Sequence, residues 1–195
     1  SLWMLLLLLW WFLPWFPLAT AVLDNWDTTT AHRLSCFVGL SAVPTLTAVT
    51  LTTTATMTAA AWGIIQVTGI DDTVMHGLGG MAACRQVTTG WSVDGTTATS
   101  LTLYLGAKRA AGSAIIAAFS HAVNEVTAVG AGLTELVDLQ NADLANLEIA
   151  WNATYKARPS ASWATTTTKY GGIAIELAAT GNTMFVTDPV ADLYA

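Results

Sequence analysis

The stretch LEIAWNATY, Leu147–Tyr155, carries the clearest structural pattern in the chain. Apolar side chains, among them Trp151 and Tyr155, occupy every second position, and the positions between them hold smaller or polar residues such as Glu148. A spacing of two residues puts the apolar side chains on one face of a β-strand. Two aromatic side chains on that face indicate a sheet that packs against a second layer.

Several other segments show the same kind of pattern. Leu101–Ala107 alternates in the same way, and AIIAAF at Ala114–Phe119 is a continuous apolar run, typical of a central strand. Glycine and proline residues separate such segments at intervals of roughly 8–12 residues, as in antiparallel sandwiches. The sequence therefore predicts a mainly β domain with an antiparallel β-sandwich or jelly-roll-like fold. Further strands are predicted over Thr45–Ala61, Ile64–Ile70, Leu133–Leu139, Trp163–Thr168, Ile173–Leu177 and Met184–Val186.

Two segments within this region have other interpretations. MHGLGGMAACRQVTTG, Met75–Gly90, contains a glycine cluster but lacks the GxxxxGK[ST] spacing and the lysine of a phosphate loop. We therefore predict a flexible connector there. Ala142–Glu148 is compatible with a short helix as well as with the approach to a strand.

The beginning of the chain is its second distinctive feature. LWMLLLLLWWFLPWFPLATAVL, Leu2–Leu23, contains no charged residue, and as a helix it is long enough to cross about 30 Å of hydrocarbon. Pro14 and Pro17 would kink or end such a helix. We predict that residues 1–23 form a transmembrane or membrane-docking helix. A signal peptide ending near Ala19–Ala21 is the alternative, but the basic residues that usually open a signal peptide are missing.

Four tryptophans lie within this apolar segment. Interfacial tryptophans normally mark the two ends of a membrane span, whereas two of these fall near its middle. Such positions favour packing against neighbouring helices or flat pigments, with simple contact to lipid as the alternative. The predicted membrane-docking residues are Trp3, Trp10, Trp11 and Trp15.

The first charges after the segment indicate an orientation and a domain division. Asp24 and Asp27 follow it directly, and the first cation is Arg33. The positive-inside rule then places the bulk of the chain on the exoplasmic or periplasmic side of the membrane. The chain divides into a single-pass helix over 1–23, a linker or docking strap over 24–44, and a β-sandwich domain over 45–195.

Composition excludes one class of partner and leaves the cysteines open. The chain has 7 Lys and Arg against 13 Asp and Glu, a formal net charge of −6. Because nucleic-acid surfaces need clustered cations and these are scattered, no nucleic-acid partner is predicted. Cys36 and Cys84 would close a loop of about 49 residues as a disulfide in an exported domain. The alternative is two buried thiols that pack as small apolar side chains.

The sequence contains no recognisable catalytic motif. A G-x-S-x-G nucleophile elbow is absent, and His32, His76 and His121 lie far apart in the chain. No cofactor and no metal site are predicted. Carboxylates suited to a glycoside-hydrolase pair do occur on the predicted strands, with solvent-facing strand charges as the alternative interpretation. They are Glu135, Asp138, Glu148 and Glu176.

Residues 101–177 resemble the β-sandwich modules of bacteriophage tail-associated and other virion proteins. The order is an apolar strand at Ala114–Phe119, a glycine-containing segment leading to L-T-E-L at Gly132–Leu136, the aromatic strand Leu147–Tyr155, and the segment SASWA with a final apolar strand over Ser160–Leu177. The resemblance implies a non-enzymatic module that displays, decorates or docks.

Two functional hypotheses follow from these features. In the first, the protein is a non-enzymatic structural or accessory subunit, anchored by its N-terminal helix in a larger membrane assembly that its β-sandwich caps. Membrane lipid and other transmembrane subunits are then its partners, in a bioenergetic or photosynthetic complex or a membrane-containing virion. In the second, the sandwich is a tethered, exported carbohydrate-binding or hydrolytic domain, with Trp91, Trp151 and Trp163 as candidate glycan contacts.

Overall fold

The structure is a computed structural model that describes residues 2–5, 16–22, 33–40, 59–71, 83–92, 96–140, 146–179 and 185–194. These residues form β-strands joined by turns, and none of them belongs to a helix long and apolar enough to span a bilayer. The strands are β1 Leu2–Leu5, β2 Phe16–Val22, β3 Arg33–Leu40, β4 Ala60–Thr68, β5 Cys84–Trp91, β6 Ala98–Thr102, β7 Ala114–His121, β8 Ala128–Val129, β9 Thr134–Leu139, β10 Leu147–Asn152, β11 Ser160–Thr167, β12 Tyr170–Leu177 and β13 Phe185–Tyr194.

The strands form three antiparallel sheets. The first has the order β13-β4-β1-β3-β2, the second β5-β12-β7-β10-β9, and the third β6-β11-β8. The second, which we call the central sheet, is covered on both faces. Sheet on sheet is the packing that the alternating patterns predict, and a mainly β, antiparallel architecture is confirmed.

The two faces of the central sheet belong to different apolar clusters. Ile116 and Ala118 of β7 pack towards the five-stranded first sheet, with Ile65 and Val67 of β4. Their neighbours Ile115, Ala117 and Phe119 point the other way, towards the segment that carries Leu103 and Leu105 and towards β11. Because both faces are covered, every side chain of Ala114–Phe119 in β7 is buried, which explains the continuous apolar sequence of that run. The predicted central strand is therefore confirmed.

The N-terminal segment differs from the predicted helix. Leu2–Leu5 is strand β1, which pairs with β3 on one side and β4 on the other, and Phe16–Val22 is strand β2. An uninterrupted apolar run satisfies a strand inside a sheet as well as a membrane helix, because both environments lack water. The helix over 1–23 is thus not confirmed. Trp3 lies in β1, and the other three predicted docking residues, Trp10, Trp11 and Trp15, lie outside the described residues.

Three further segments differ from the sequence prediction. The predicted linker over 24–44 contains β3, and the predicted connector Met75–Gly90 contains most of β5, which pairs with β12 along its length. The glycine cluster of that connector precedes β5 in the sequence, and for this reason the sequence pattern predicted a connector instead of a strand. The predicted strand Leu101–Ala107 ends at Thr102, and beyond it the backbone N–H groups of Leu103 and Leu105 donate to carbonyls of the segment before β11.

Candidate functional site

Three carboxylates meet on one face of the central sheet, at its β9 edge. Each of Glu135, Asp138 and Glu148 offers one oxygen, and these atoms all lie within 4.8 Å of one another. Glu135 and Asp138 are three residues apart, so a regular strand would turn them to opposite faces. The register between β9 and β10 shifts, however: Val137 lies opposite Ile149, and Glu135 lies opposite Ala150. This β-bulge brings both acids to the face of Glu148.

Glu148 is the most unusual member of this carboxylate cluster. Its side chain is 0% exposed, and neither carboxylate oxygen has a hydrogen-bond partner in the part of the chain that the structure describes. Burial, together with the negative charges of Glu135 and Asp138, raises the pKa of Glu148 to about 9. A buried carboxyl group without partners is costly in any fold, because neither of its oxygens recovers the hydrogen bonds that water supplied.

The other two members of the cluster lead from Glu148 towards solvent. Asp138 is half-buried, and Glu135 is exposed. Asp138 accepts hydrogen bonds from the Gln140 side chain and the Thr127 backbone, while its Oδ1 has no partner. Burial raises the pKa of Asp138, and those two hydrogen bonds oppose the rise. The cluster is therefore open at the sheet edge and closed at Glu148.

Glu176, the fourth carboxylate singled out by the sequence, lies apart from this cluster in a different environment. Its Oε1 accepts from the backbone N–H of Arg109 at 2.8 Å and of Ala110 at 3.3 Å, and its Oε2 accepts from Gln86 Nε2 at 2.5 Å. Gln86 Oε1 in turn accepts from the Gly106 N–H at 2.9 Å. These bonds hold the loop 106–110 against the central sheet.

His121 belongs to a second internal polar network. It is 1% exposed, its Nε2 lies 2.9 Å from Thr127 Oγ1, and its ring stacks on Trp163 at a centroid distance of 4.8 Å. Asn146 Nδ2 donates to the carbonyl oxygens of Val123 and Glu125. Burial lowers the pKa of His121, and the nearby Glu125 carboxylate opposes that shift. The network holds the loop 122–127 beside the carboxylate cluster.

The two cysteines are free thiols in the apolar cluster between the first sheet and the central sheet. Cys36 is buried in β3 and Cys84 is half-buried at the start of β5. Burial raises the pKa of Cys84 to about 12 and that of Cys36 further, with the charge of Cys84 adding to the latter shift. Their packing in this cluster fits the alternative of two buried thiols, and the possible disulfide between them stays a prediction.

The candidate glycan contacts do not form one aromatic platform. Trp163 is 5% exposed, and Trp151 and Trp91 are half-buried against the apolar cluster between the two larger sheets. Tyr104 is the aromatic side chain that faces solvent among the residues whose burial is described, and the Arg158 guanidinium lies 5.3 Å from its ring centroid. Glu148 has no surface to meet a glycosidic oxygen. The carboxylate cluster is thus better suited to a small ion than to a sugar.

The sequence identified the members of the cluster but not their arrangement. Glu135, Asp138 and Glu148 were candidates as strand carboxylates, and no metal site was predicted from them. Their meeting depends on the β9 bulge, for which strict alternation gives no signal. Comparison with known proteins adds no assignment, since no protein-family model, curated protein or solved structure matches the chain. The resemblance to virion modules stays an expectation.

Proposed function

We propose that the protein is a non-enzymatic structural subunit of a larger assembly, to which it contributes its β-sandwich. One observation carries the proposal: polar groups that bear chemistry elsewhere in proteins are turned inward here and fasten loops to the central sheet. Glu176 and Gln86 hold the loop 106–110, and Asn146 holds the loop 122–127 beside His121. Such bonds rigidify a scaffold.

We also propose that the assembly lies at a membrane, although the N-terminal segment does not attach to it as the single helix that the sequence predicts. The apolar residues 1–23 predicted attachment to a membrane assembly, but β1 pairs on both sides within the first sheet. In our proposal this segment has two roles. It supplies β1 and β2 to the first sheet, and it also contacts the partners of the assembly. Membrane lipid and neighbouring transmembrane subunits are the proposed partners.

The test is mild detergent extraction of the tagged full chain from its source cells, native purification, and stoichiometry by mass spectrometry. We expect the chain in a complex of fixed composition that survives size-exclusion chromatography. A monodisperse monomer that binds a glycan on an array, with binding lost in Tyr104→Ala, would contradict the proposal. That result would support the carbohydrate-binding alternative instead.

A further inference from the structure

Among the described residues, no ion pair joins the carboxylate cluster of Glu135, Asp138 and Glu148 to a cation. The charges that act on Glu148 are those of the other two acids, and both of them are repulsive. Protonation of Glu148 would remove its charge, yet it would leave an O–H donor and a carbonyl acceptor equally unpartnered. A group that binds several carboxylate oxygens at once would satisfy all three residues.

Glu176 shows that this face of the sheet accommodates a buried carboxylate when partners are supplied. It lies on the same face as Glu148, because Glu176 is opposite Ile115 and Glu148 is opposite Phe119 on β7. Both acids are 0% exposed, but Glu176 accepts two backbone N–H bonds and one from Gln86. The unpartnered oxygens of Glu148, aimed into the cluster, therefore mark a place where no described residue supplies a partner.

We propose that Glu135, Asp138 and Glu148 bind a divalent cation, and that this cation is Ca²⁺. All three donors are carboxylate oxygens, the ligands of hard cations, and no thiolate or imidazole of a described residue joins them. Oxygens on opposite sides of a calcium ion lie about 4.6–5.2 Å apart, since each is about 2.3–2.6 Å from it. The three oxygens here all lie within 4.8 Å of one another, so one calcium ion can bind all of them. Magnesium, at about 2.0–2.1 Å, demands near-ideal octahedral geometry, whereas calcium accepts the flexible geometry of donors that the fold has placed.

The cation would join β9, β10 and the loop 122–127. It would bridge β9 and β10 across the bulge, where one residue of β9 has no partner in the ladder. Asp138 also accepts a hydrogen bond from the Thr127 backbone, so the cation would be tied to the loop 122–127. Exposed Glu135 gives solvent access at the sheet edge, and buried Glu148 closes the interior side.

The experiment compares the full chain after exhaustive chelation with the same protein in CaCl₂, using thermal unfolding and isothermal titration calorimetry. We expect Ca²⁺ at about 100 times its dissociation constant to raise Tm by about 5 °C or more. An equal concentration of MgCl₂ should give a smaller shift. Terbium luminescence, excited through tryptophan and displaced by Ca²⁺, gives a second measurement of binding.

Two cluster variants and one control assign the binding to these residues. Glu135→Gln, at an exposed position, should fold normally and bind Ca²⁺ about tenfold or more weakly, because one ligand charge is lost. Glu148→Gln should abolish the Ca²⁺-dependent shift. Glu176→Gln, a buried acid outside the cluster, should keep the full shift, although its Tm is lower in both media.

Three results would overturn the proposal. The first is no shift and no calorimetric heat at 5 mM CaCl₂. The second is a shift that Glu135→Gln leaves unchanged, which decides the matter even if Glu148→Gln fails to fold. The third is a larger shift with Mg²⁺ than with Ca²⁺, which would contradict the identity of the cation.

Discussion

Glu148 and Glu176 lie on the same face of the central sheet, both fully buried, yet one has every carboxylate oxygen hydrogen-bonded and the other has none. Their environments differ because loop 106–110 turns two backbone N–H groups towards Glu176. Glu148 faces two other acids instead. The same side-chain chemistry therefore contributes to stability at one position and to ion affinity at the other.

The first prediction uses this contrast in chelated protein. Glu176→Gln should lower the free energy of unfolding by about 1.5–3 kcal/mol, because hydrogen bonds to a charged acceptor are lost. If the new amide placed its NH₂ group at the position of Glu176 Oε2, that group would face the NH₂ of Gln86, and two donors would meet where a hydrogen bond now exists. Glu148→Gln should cost nothing, or should stabilise, because no hydrogen bond is removed there. Urea unfolding in EDTA measures both, and equal losses in the two variants would contradict the assigned environments.

The second prediction concerns the close approach of β12 to β7. A Cβ added at Gly172 would lie 3.0 Å from the carbonyl oxygen of Ala118 and 3.0 Å from Phe119 Cδ1. Gly172→Ala should therefore lower the free energy of unfolding by about 1–3 kcal/mol through overpacking. Gly90 lies directly opposite on β5 and is the matched control, since its added Cβ would meet the tips of the Leu103 and Leu101 side chains and not a backbone atom. If Gly90→Ala lost more free energy of unfolding than Gly172→Ala, the contact of Gly172 with the Ala118 carbonyl would not be the tighter one.

The third prediction is a pH dependence that originates in His121. Its pKa is lowered in the folded protein, so the unfolded chain binds the proton more readily. Its contribution to stability is thus complete above pH 6.5 and is lost as the pH falls below that value towards the folded pKa. The slope is at most about 1.4 kcal/mol per pH unit for one proton.

The measurement for His121 is a difference between two proteins. Glu148, whose pKa is raised, makes a contribution of opposite sign over the same pH range. This contribution cancels when the free energy of unfolding of His121→Gln is subtracted from that of the parent protein. The difference in free energy of unfolding should grow from pH 5 to pH 6.5 and then level off. A difference that does not change with pH would show that His121 does not titrate differently in the folded protein. Glu125→Gln should enlarge the effect, because Glu125 opposes the lowered pKa.

How far the sequence predicts this fold can be seen at β7 and β9. The run Ala114–Phe119 predicts a central strand because continuous apolarity requires cover on both faces, and the structure has this arrangement. At β9 the same period-two reasoning separates Glu135 from Asp138. The bulge places both acids on the same face, and a bulge depends on pairing with β10 across the sheet. Local periodicity thus predicts the layers of the fold and not the geometry of the cluster.

The fourth prediction concerns thiol reactivity. Because burial raises the pKa values of Cys36 and Cys84, both should react with an alkylating reagent at pH 8 many times more slowly than a free thiol. Cys36, the more buried of the two, should be slower than Cys84. In urea, two thiols per chain should react without a reductant. Recovery of both thiols only after reduction would instead establish the disulfide that the sequence allows.

The fifth prediction separates a strand from a helix at the N-terminus. Met4 lies opposite Val38 of β3 and Ile65 of β4, inside a five-stranded sheet. Met4→Pro removes an N–H from that sheet and should lower the free energy of unfolding by about 2–3 kcal/mol, whereas Met4→Val, the matched control, suits a strand and should cost little. In a membrane helix beginning at Leu2, position 4 falls in the first turn, where proline is tolerated. Calorimetric unfolding of the two variants therefore decides between these structures. Equal stability would contradict the strand at Leu2–Leu5 and would support the predicted helix instead.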